Sequence, residues 1–195
     1  MTAAALPHQV AWRHGTSREG IEVAFLHRSS HGYLIDGRTV AVEDGHGWAV
    51  RYHIALDAQW QLRHAVVTTF ADADPEERMT TLDYDGDGRW RVDGLPAPQL
   101  KGCLDLDLEC SALTNAFPVR RLSPGVGDEF DAPAAYVRIA AEAPRRADQT
   151  YRRIDDEDGR SRYDYHAPEF DFQAVIEYDG SGFVVAYPGI ADRIV

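Results

Sequence analysis

The sequence predicts an all-β protein built mainly from antiparallel strands, and three features carry that reading. The dipeptide Asp-Gly occurs seven times, at Asp36-Gly37, Asp44-Gly45, Asp85-Gly86, Asp87-Gly88, Asp93-Gly94, Asp158-Gly159 and Asp179-Gly180. Asp-Gly tolerates the positive φ of tight hairpin turns, so each instance flanked by alternating residues marks a hairpin. The flanks do alternate apolar and polar residues with period two, the signature of a strand with one buried face. Only one segment, 111–122, reads as helix.

Taken in chain order, strands are predicted over 20–28, 31–35 and 39–43. The next runs from Trp48, where Trp48, Val50, Tyr52, Ile54 and Leu56 share one face. Further strands follow over 60–71, 78–84, 89–92 and 100–109. Ser111 is placed to cap the one helix. Pro118 requires either a kink there or a new helical turn that starts on it, because an internal proline removes a donor and clashes with the preceding turn. Ser123-Pro124-Gly125 then stops the helix. Strands resume over 136–142, 148–154 and 162–166, then with Phe172, Ala174, Ile176 and Tyr178 on one face, then over 182–187. So many strands joined by short turns must roll, close or split to limit their exposed edges. The whole chain, 1–195, reads as one domain, with no Gly/Ser linker and no fixed-length repeat.

Composition narrows the function classes. Net charge is −12 at pH 7, which argues against broad nucleic-acid binding and against docking on anionic membranes. Of the 20 basic residues only Lys101 is a lysine. No run approaches the roughly 18 apolar residues of a membrane span, and no signal-peptide pattern opens the chain, so a cytoplasmic protein is expected. The two cysteines, Cys103 and Cys110, suit a reducing compartment and read as buried free thiols.

The motif search finds few chemical signatures. Asp83, Asp85, Asp87 and Gly88 imitate half of a calcium loop, but the twelfth position is Gly94 rather than Glu, so a hairpin turn is the better reading. None of the 8 histidines lies in the one predicted helix, so no zinc-helix pair is expected. No metal and no cofactor are expected. Asp105, Asp107 and Glu109 alternate with Leu104, Leu106 and Leu108. Alternate carboxylates on a strand stand roughly 6–7 Å apart, close to the spacing used in glycoside hydrolysis. A solvated sheet face, or pairing with Arg120 and Arg121, is the plainer explanation of them. Thr114, Asn115 (the chain's only Asn), Arg120 and Arg121 are suited to sugar or phosphate oxygens, or to tying the helix to the acidic strand.

The run Gly102-Cys103-Leu104-Asp105-Leu106-Asp107-Leu108, followed by SALTNAFPVRRL over 111–122, resembles the core signature of a bacterial putative glycolipid-binding family with a spiral β-roll fold. Gly102, Cys103, Asp105, Asp107, Thr114, Asn115, Pro118, Arg120, Arg121 and Leu122 carry the match. Similar blocks follow in order elsewhere: Ala11-Trp12-Arg13, Gly88-Arg89-Trp90, Tyr151-Arg152-Arg153, Tyr163-Asp164-Tyr165 and Tyr187-Pro188-Gly189. The resemblance implies roughly fifteen strands wrapped around a single α-helix, usually in a homodimer. The family's glycolipid role itself comes from likeness to lipoprotein carriers, which are exported.

The resulting expectation is a non-catalytic protein that binds a glycolipid or another acyl-bearing ligand. The apolar part would lie inside the curved sheet, with the head group at Asp105, Asp107, Thr114, Asn115, Arg120 and Arg121. Two alternatives stand beside it. One is a hydrolase or lyase of a small polar substrate using Asp105 and Asp107. The other is a structural dimer whose helix fills the roll and whose Asp–Arg cluster is an internal latch.

Overall fold

The computed structural model describes residues 6–195 apart from 17, 73 and 141. Six long strands open the chain: β1 (Gln9–His14), β2 (Glu19–Ser29), β3 (Gly32–Glu43), β4 (His46–Asp57), β5 (Leu62–Ala71) and β6 (Asp74–Tyr84). Two short ones, β7 (Trp90–Val92) and β8 (Leu95–Pro96), complete this half. The second half contributes β10 (Glu129–Asp131), β13 (Thr150–Glu157), β14 (Arg160–Ala167), β15 (Phe172–Tyr178), β16 (Val184–Tyr187) and β17 (Ala191–Arg193). These 14 strands form one sheet, in the order β10-β13-β14-β15-β16-β17-β1-β2-β3-β4-β5-β6-β7-β8. The two halves join where β1 pairs with β17, with Trp12 opposite Arg193. A second sheet of 3 strands runs β12 (Arg145–Ala147), β11 (Ala134–Val137), β9 (Asp105–Leu108). Its β9–β11 pairing is parallel.

The long sheet is rolled, and the contacts of the helical segment show it. A 3-10 turn (Leu113–Asn115) runs directly into α1 (Ala116–Leu122), the one α-helix among the described residues. Around this segment lie Glu22 of β2, Trp60 after β4, Tyr151 of β13 and Tyr178 of β15. No flat sheet could bring those strands to one short segment. Ala116, Phe117, Pro118 and Val119 are all buried there. The fold is therefore an all-β roll wound around a single helix, as expected.

Local chemistry explains the helix. The Ser111 hydroxyl accepts the N–H of Leu113 at 3.1 Å, so Ser111 supports the start of the turn from one residue outside the N-cap position, which Ala112 holds. Neither expected solution for Pro118 is adopted. The 3-10 turn hands over to α1 two residues ahead of it, leaving Pro118 at the third position of the α-helix. A first-turn N–H has no intrahelical partner, so proline sacrifices nothing there. Ser123 ends the helix in the left-handed region, at φ 45°.

The strands depart from the sequence reading in several places, among them β11, which ends at Val137 where a strand is predicted over 136–142. Asp36-Gly37 is not a turn. It lies inside β3, where Gly37 pairs with Ala24 on one side and Tyr52 on the other. The predicted strand over 100–109 shrinks to Asp105–Leu108, because Pro98–Leu100 forms a 3-10 turn. In β2 the inward residues are Glu22, Ala24 and Leu26, while Ile21 and Phe25 face outward. The other Asp-Gly pairs lie in turns or loops, and Asp44-Gly45 and Asp158-Gly159 have the paired positive φ of type I′ hairpins.

Candidate functional site

The acidic strand β9 is buried on both faces. Asp105, Leu106 and Leu108 are 2% exposed or less, so the solvated-face reading is corrected. Its neighbour β11 sets each carboxylate in place, with Ala134 opposite Asp105 and Tyr136 opposite Asp107. The two carboxylates then take different partners. Asp105 receives a two-pronged contact from Arg121, with Nη2 to Oδ2 at 2.5 Å and Nε to Oδ1 at 3.3 Å. The fork geometry of guanidinium and carboxylate satisfies both buried groups together. Burial still pushes the Asp105 carboxyl above the usual carboxylate range, with Arg121 opposing that shift.

Arg120, one residue earlier on α1, points elsewhere. Its guanidinium lies 4.0 Å from the ring centre of Trp60 and 4.9 Å from that of Phe183, and donates to the Ser181 carbonyl. Adjacent helical residues face different directions, so the Arg-Arg pair cannot act as one clamp.

Asp107 belongs to a third group. Thr114 donates its hydroxyl to Oδ1 at 3.0 Å, and Gln149 donates from Nε2 to Oδ2 at 2.5 Å. Gln149 in turn accepts from the Tyr151 hydroxyl at 3.4 Å, and that hydroxyl accepts from Asn115 Nδ2 at 3.0 Å. The chain's only asparagine is thus linked to Asp107 by a continuous polar relay. Burial raises the Asp107 carboxyl to about 6, more than its hydrogen bonds from Thr114 and Gln149 lower it.

Asp107 and Asn115 open onto a cavity of about 190 Å³ between the two sheets. One wall is aromatic: Tyr165, Phe172 and Tyr187 stand in mutual ring contact at 5.9–6.2 Å between centroids. Tyr136 and Phe170, 4.9 Å apart, form the other. Arg18, Glu109 and Ser111 also reach it. Burial pushes the hydroxyls of Tyr136, Tyr165 and Tyr187 up, which keeps them protonated as donors. Two carboxylates, one guanidinium, one amide, phenolic donors and flat apolar faces are the equipment for a small hydroxyl-bearing ring.

Of the six residues predicted as a site, Asp107 and Asn115 line this cleft and Thr114 supports Asp107. Asp105, Arg120 and Arg121 are not among its lining residues. The carboxylate pair proposed for hydrolysis is therefore split, since Asp105 is held by Arg121. The helical segment buries Ala116, Phe117, Pro118 and Val119 inside the roll, and the inter-sheet cleft, at about 190 Å³, is smaller than the roughly 300–1,000 Å³ that takes a drug-sized ligand. Among the described residues no group of three or more His, Cys, Asp or Glu could hold a metal ion, and the Asp85 turn serves its own N–H groups at Asp87 and Arg89. Cys103 and Cys110 are free and buried, and burial raises both thiols.

Sequence reasoning missed Glu22. It is fully buried, accepts from Tyr52 at 2.6 Å and from the Ala112 N–H at 2.8 Å, and also accepts from the Ser111 hydroxyl. Its position between Ile21 and Val23 gave no hint, because the large apolar Ile21 and Phe25 face out while Glu22 shares the inward face with Ala24 and Leu26. Tyr136, Tyr165 and Tyr187 carry no separate signal in the sequence, and only the fold brings them to one cleft.

An all-β roll, with one helix at its centre and a narrow polar-aromatic cleft between its sheets, is the class these features define. The chain belongs to the Putative glycolipid-binding family, whose model matches residues 9–193. Among solved structures it is similar to a DUF1089-family protein from Pseudomonas aeruginosa, at 32% identity and TM-score 0.74 over 100% of this chain and 98% of that chain. It is also similar to a β-barrel-like protein of domain of unknown function DUF1849 from Brucella abortus, at 14% identity and TM-score 0.57 over 98% and 96% of the two chains. The second likeness shows the fold alone. Among curated proteins nothing matches the sequence. No helix among the described residues is long and apolar enough to cross a membrane.

Proposed function

We propose that the inter-sheet cleft binds the hydroxyl-rich head of an amphipathic ligand, such as the sugar of a glycolipid, without transforming it. The observation that supports this reading is the convergence of Asp107, Asn115 and the tyrosine wall on a cavity of about 190 Å³. That volume suits one small ring rather than a long chain. The acyl tail then leaves through the mouth, past Phe170, which is 39% exposed. The family description points to the same ligand class.

The test is calorimetric titration with n-octyl β-D-glucoside below its micelle concentration. Binding is expected, and Asp107→Asn is expected to weaken it by roughly tenfold or more, the worth of one hydrogen bond to a charged group. The wild-type affinity should also fall as the pH drops below about 6, where Asp107 gains its proton. An affinity unaffected by Asp107→Asn, or no binding of the glucoside, would refute the assignment.

A further inference from the structure

A second pocket forms at the β8 end of the long sheet and shares no lining residue with the inter-sheet cleft. It measures about 620 Å³, inside the range typical of small-molecule sites. The local sequence builds it in three steps. The Asp85 carboxylate gathers the N–H groups of Asp87 and Arg89 into a turn between β6 and β7. Asp93-Gly94, both at positive φ, then reverses the chain between β7 and β8. Finally Ala97 donates its N–H to the Trp90 carbonyl at 2.9 Å, and the 3-10 turn (Pro98–Leu100) folds over the edge. Trp90 is fixed from below by its indole N–H, which donates to the Cys103 carbonyl at 3.1 Å.

The floor is apolar and rigid. The rings of Tyr84 and Trp90 lie 5.0 Å apart, and Pro96, Ala97 and Pro98 close the side. The rim is cationic. Arg63, Arg89, Arg91 and Lys101 face only Asp83 and Asp85, in a chain whose net charge is −12. The acids are also occupied: Asp83 meets His64 at 2.8 Å, and Asp85 serves its turn. Arg63 is held by Asp57 at 2.7 Å, and Arg91 donates to the Gly94 carbonyl. The Arg89 side chain is 86% exposed and only 3.7 Å contact with Asp85 restrains it. Lys101, the only lysine, makes no ion pair and no side-chain hydrogen bond among the described residues.

An apolar floor beneath a rim on which four cations meet two carboxylates, and on which Lys101 has no ion pair, is complementary to a molecule with an acidic head and an apolar body. The geometry points to a second ligand site, formed by Tyr84, Trp90, Arg89 and Lys101, for an amphipathic organic anion. It does not depend on the sugar-binding reading of the cleft.

The experiment uses the full chain and two probes of matched apolar body, decanoate and 1-decanol. Calorimetry gives the affinities, and amide chemical shifts locate the site. Decanoate is expected to bind at least fivefold more tightly than decanol, with shift changes concentrated over residues 84–101. Arg89→Gln combined with Lys101→Gln should weaken decanoate roughly fivefold or more and leave decanol unchanged. Both side chains are exposed, so an unaltered melting temperature is expected and separates lost binding from lost fold. Equal affinities for the two probes, an undiminished affinity of the double variant, or shift changes at Tyr136, Tyr165 and Tyr187 instead would each overturn the assignment. The last outcome would leave the cleft as the apolar-ligand site and remove only this one.

Discussion

At the level of single residues, the buried carboxylates give this protein an unusual pH response. Burial lifts the Glu22 carboxyl to about 7, from 4.5 in a solvated setting, against the pull of its Ser111, Tyr52 and backbone hydrogen bonds. The folded state thus keeps a proton that the unfolded chain has released. The resulting stability is complete below pH 4.5 and is lost as the pH rises toward 7, by an amount on the order of 3 kcal/mol. Asp107, raised from 3.8 to about 6, acts in the same direction over a lower window. His14 opposes them. Burial, then Arg18, lowers it from 6.5 to about 4, so its contribution is lost as the pH falls through that interval. Comparing wild type with Glu22→Gln isolates the glutamate. Urea midpoints at about pH 5 and about pH 8 should show the wild type gaining on the variant at the acidic value. Parallel pH profiles for the two proteins would exclude a shifted Glu22. Asp107 and Asn115 were legible in the sequence because carboxylate and amide stand in a recognisable run, whereas Glu22 was hidden by an apolar alternation that faces the wrong way.

At the level of elements, the instructive strand is β3. Its Asp36-Gly37 reads as a turn by local chemistry, yet the strand runs straight through. Glycine is present there for space rather than for a reversed φ. A Cβ at Gly37 would stand 1.9 Å from Cζ of Tyr52. That ring cannot step aside, since it is fully buried and its hydroxyl is bound to Glu22. Gly37→Ala is therefore expected to cost about 1–3 kcal/mol or more, lowering the melting temperature by roughly 3–10 °C for a chain of this size. Gly47→Ala is the control. It lies in β4 with nothing within 4 Å of its added Cβ, so its effect should stay within about 0.5 kcal/mol. Equal effects of the two substitutions in a thermal melt would disprove the packing argument. The alternation of Trp48, Val50, Tyr52, Ile54 and Leu56 was legible because one face of β4 meets the core along its length. Strand β9 was legible only in outline, because burial on both faces abolishes the contrast between them. The short β8, β10, β12 and β17, of 2–3 residues each, carry too little alternation to announce themselves.

At the level of the whole molecule, turn chemistry and a lone helical segment were enough to indicate the class of fold, since an all-β chain with so many strands must curl to limit its edges. They were not enough to locate the cleft. Its lining runs from Arg18 to Ile190, with one wall assembled by the pairing of β9 with β11 and the other by that of β14 with β15. The space available was also illegible, because residue types report what can fill a core but not whether it is full. The meeting of the first and last strands has a practical consequence. Val195 accepts the Ala11 N–H at 3.0 Å, and Ile194 donates back to the Ala11 carbonyl at 2.8 Å. A Gly/Ser joint of about ten residues, reaching roughly 17 Å, should therefore connect Val195 to Leu6 without disturbing either partner. New termini can then be cut at the exposed Asp158-Gly159 tip, which preserves the meander from β2 to β6. Such a circular permutant is expected to refold with near-native circular dichroism and a melting point only a few degrees lower, whereas an insoluble product would mean that this junction is a seam the chain cannot cross in another order.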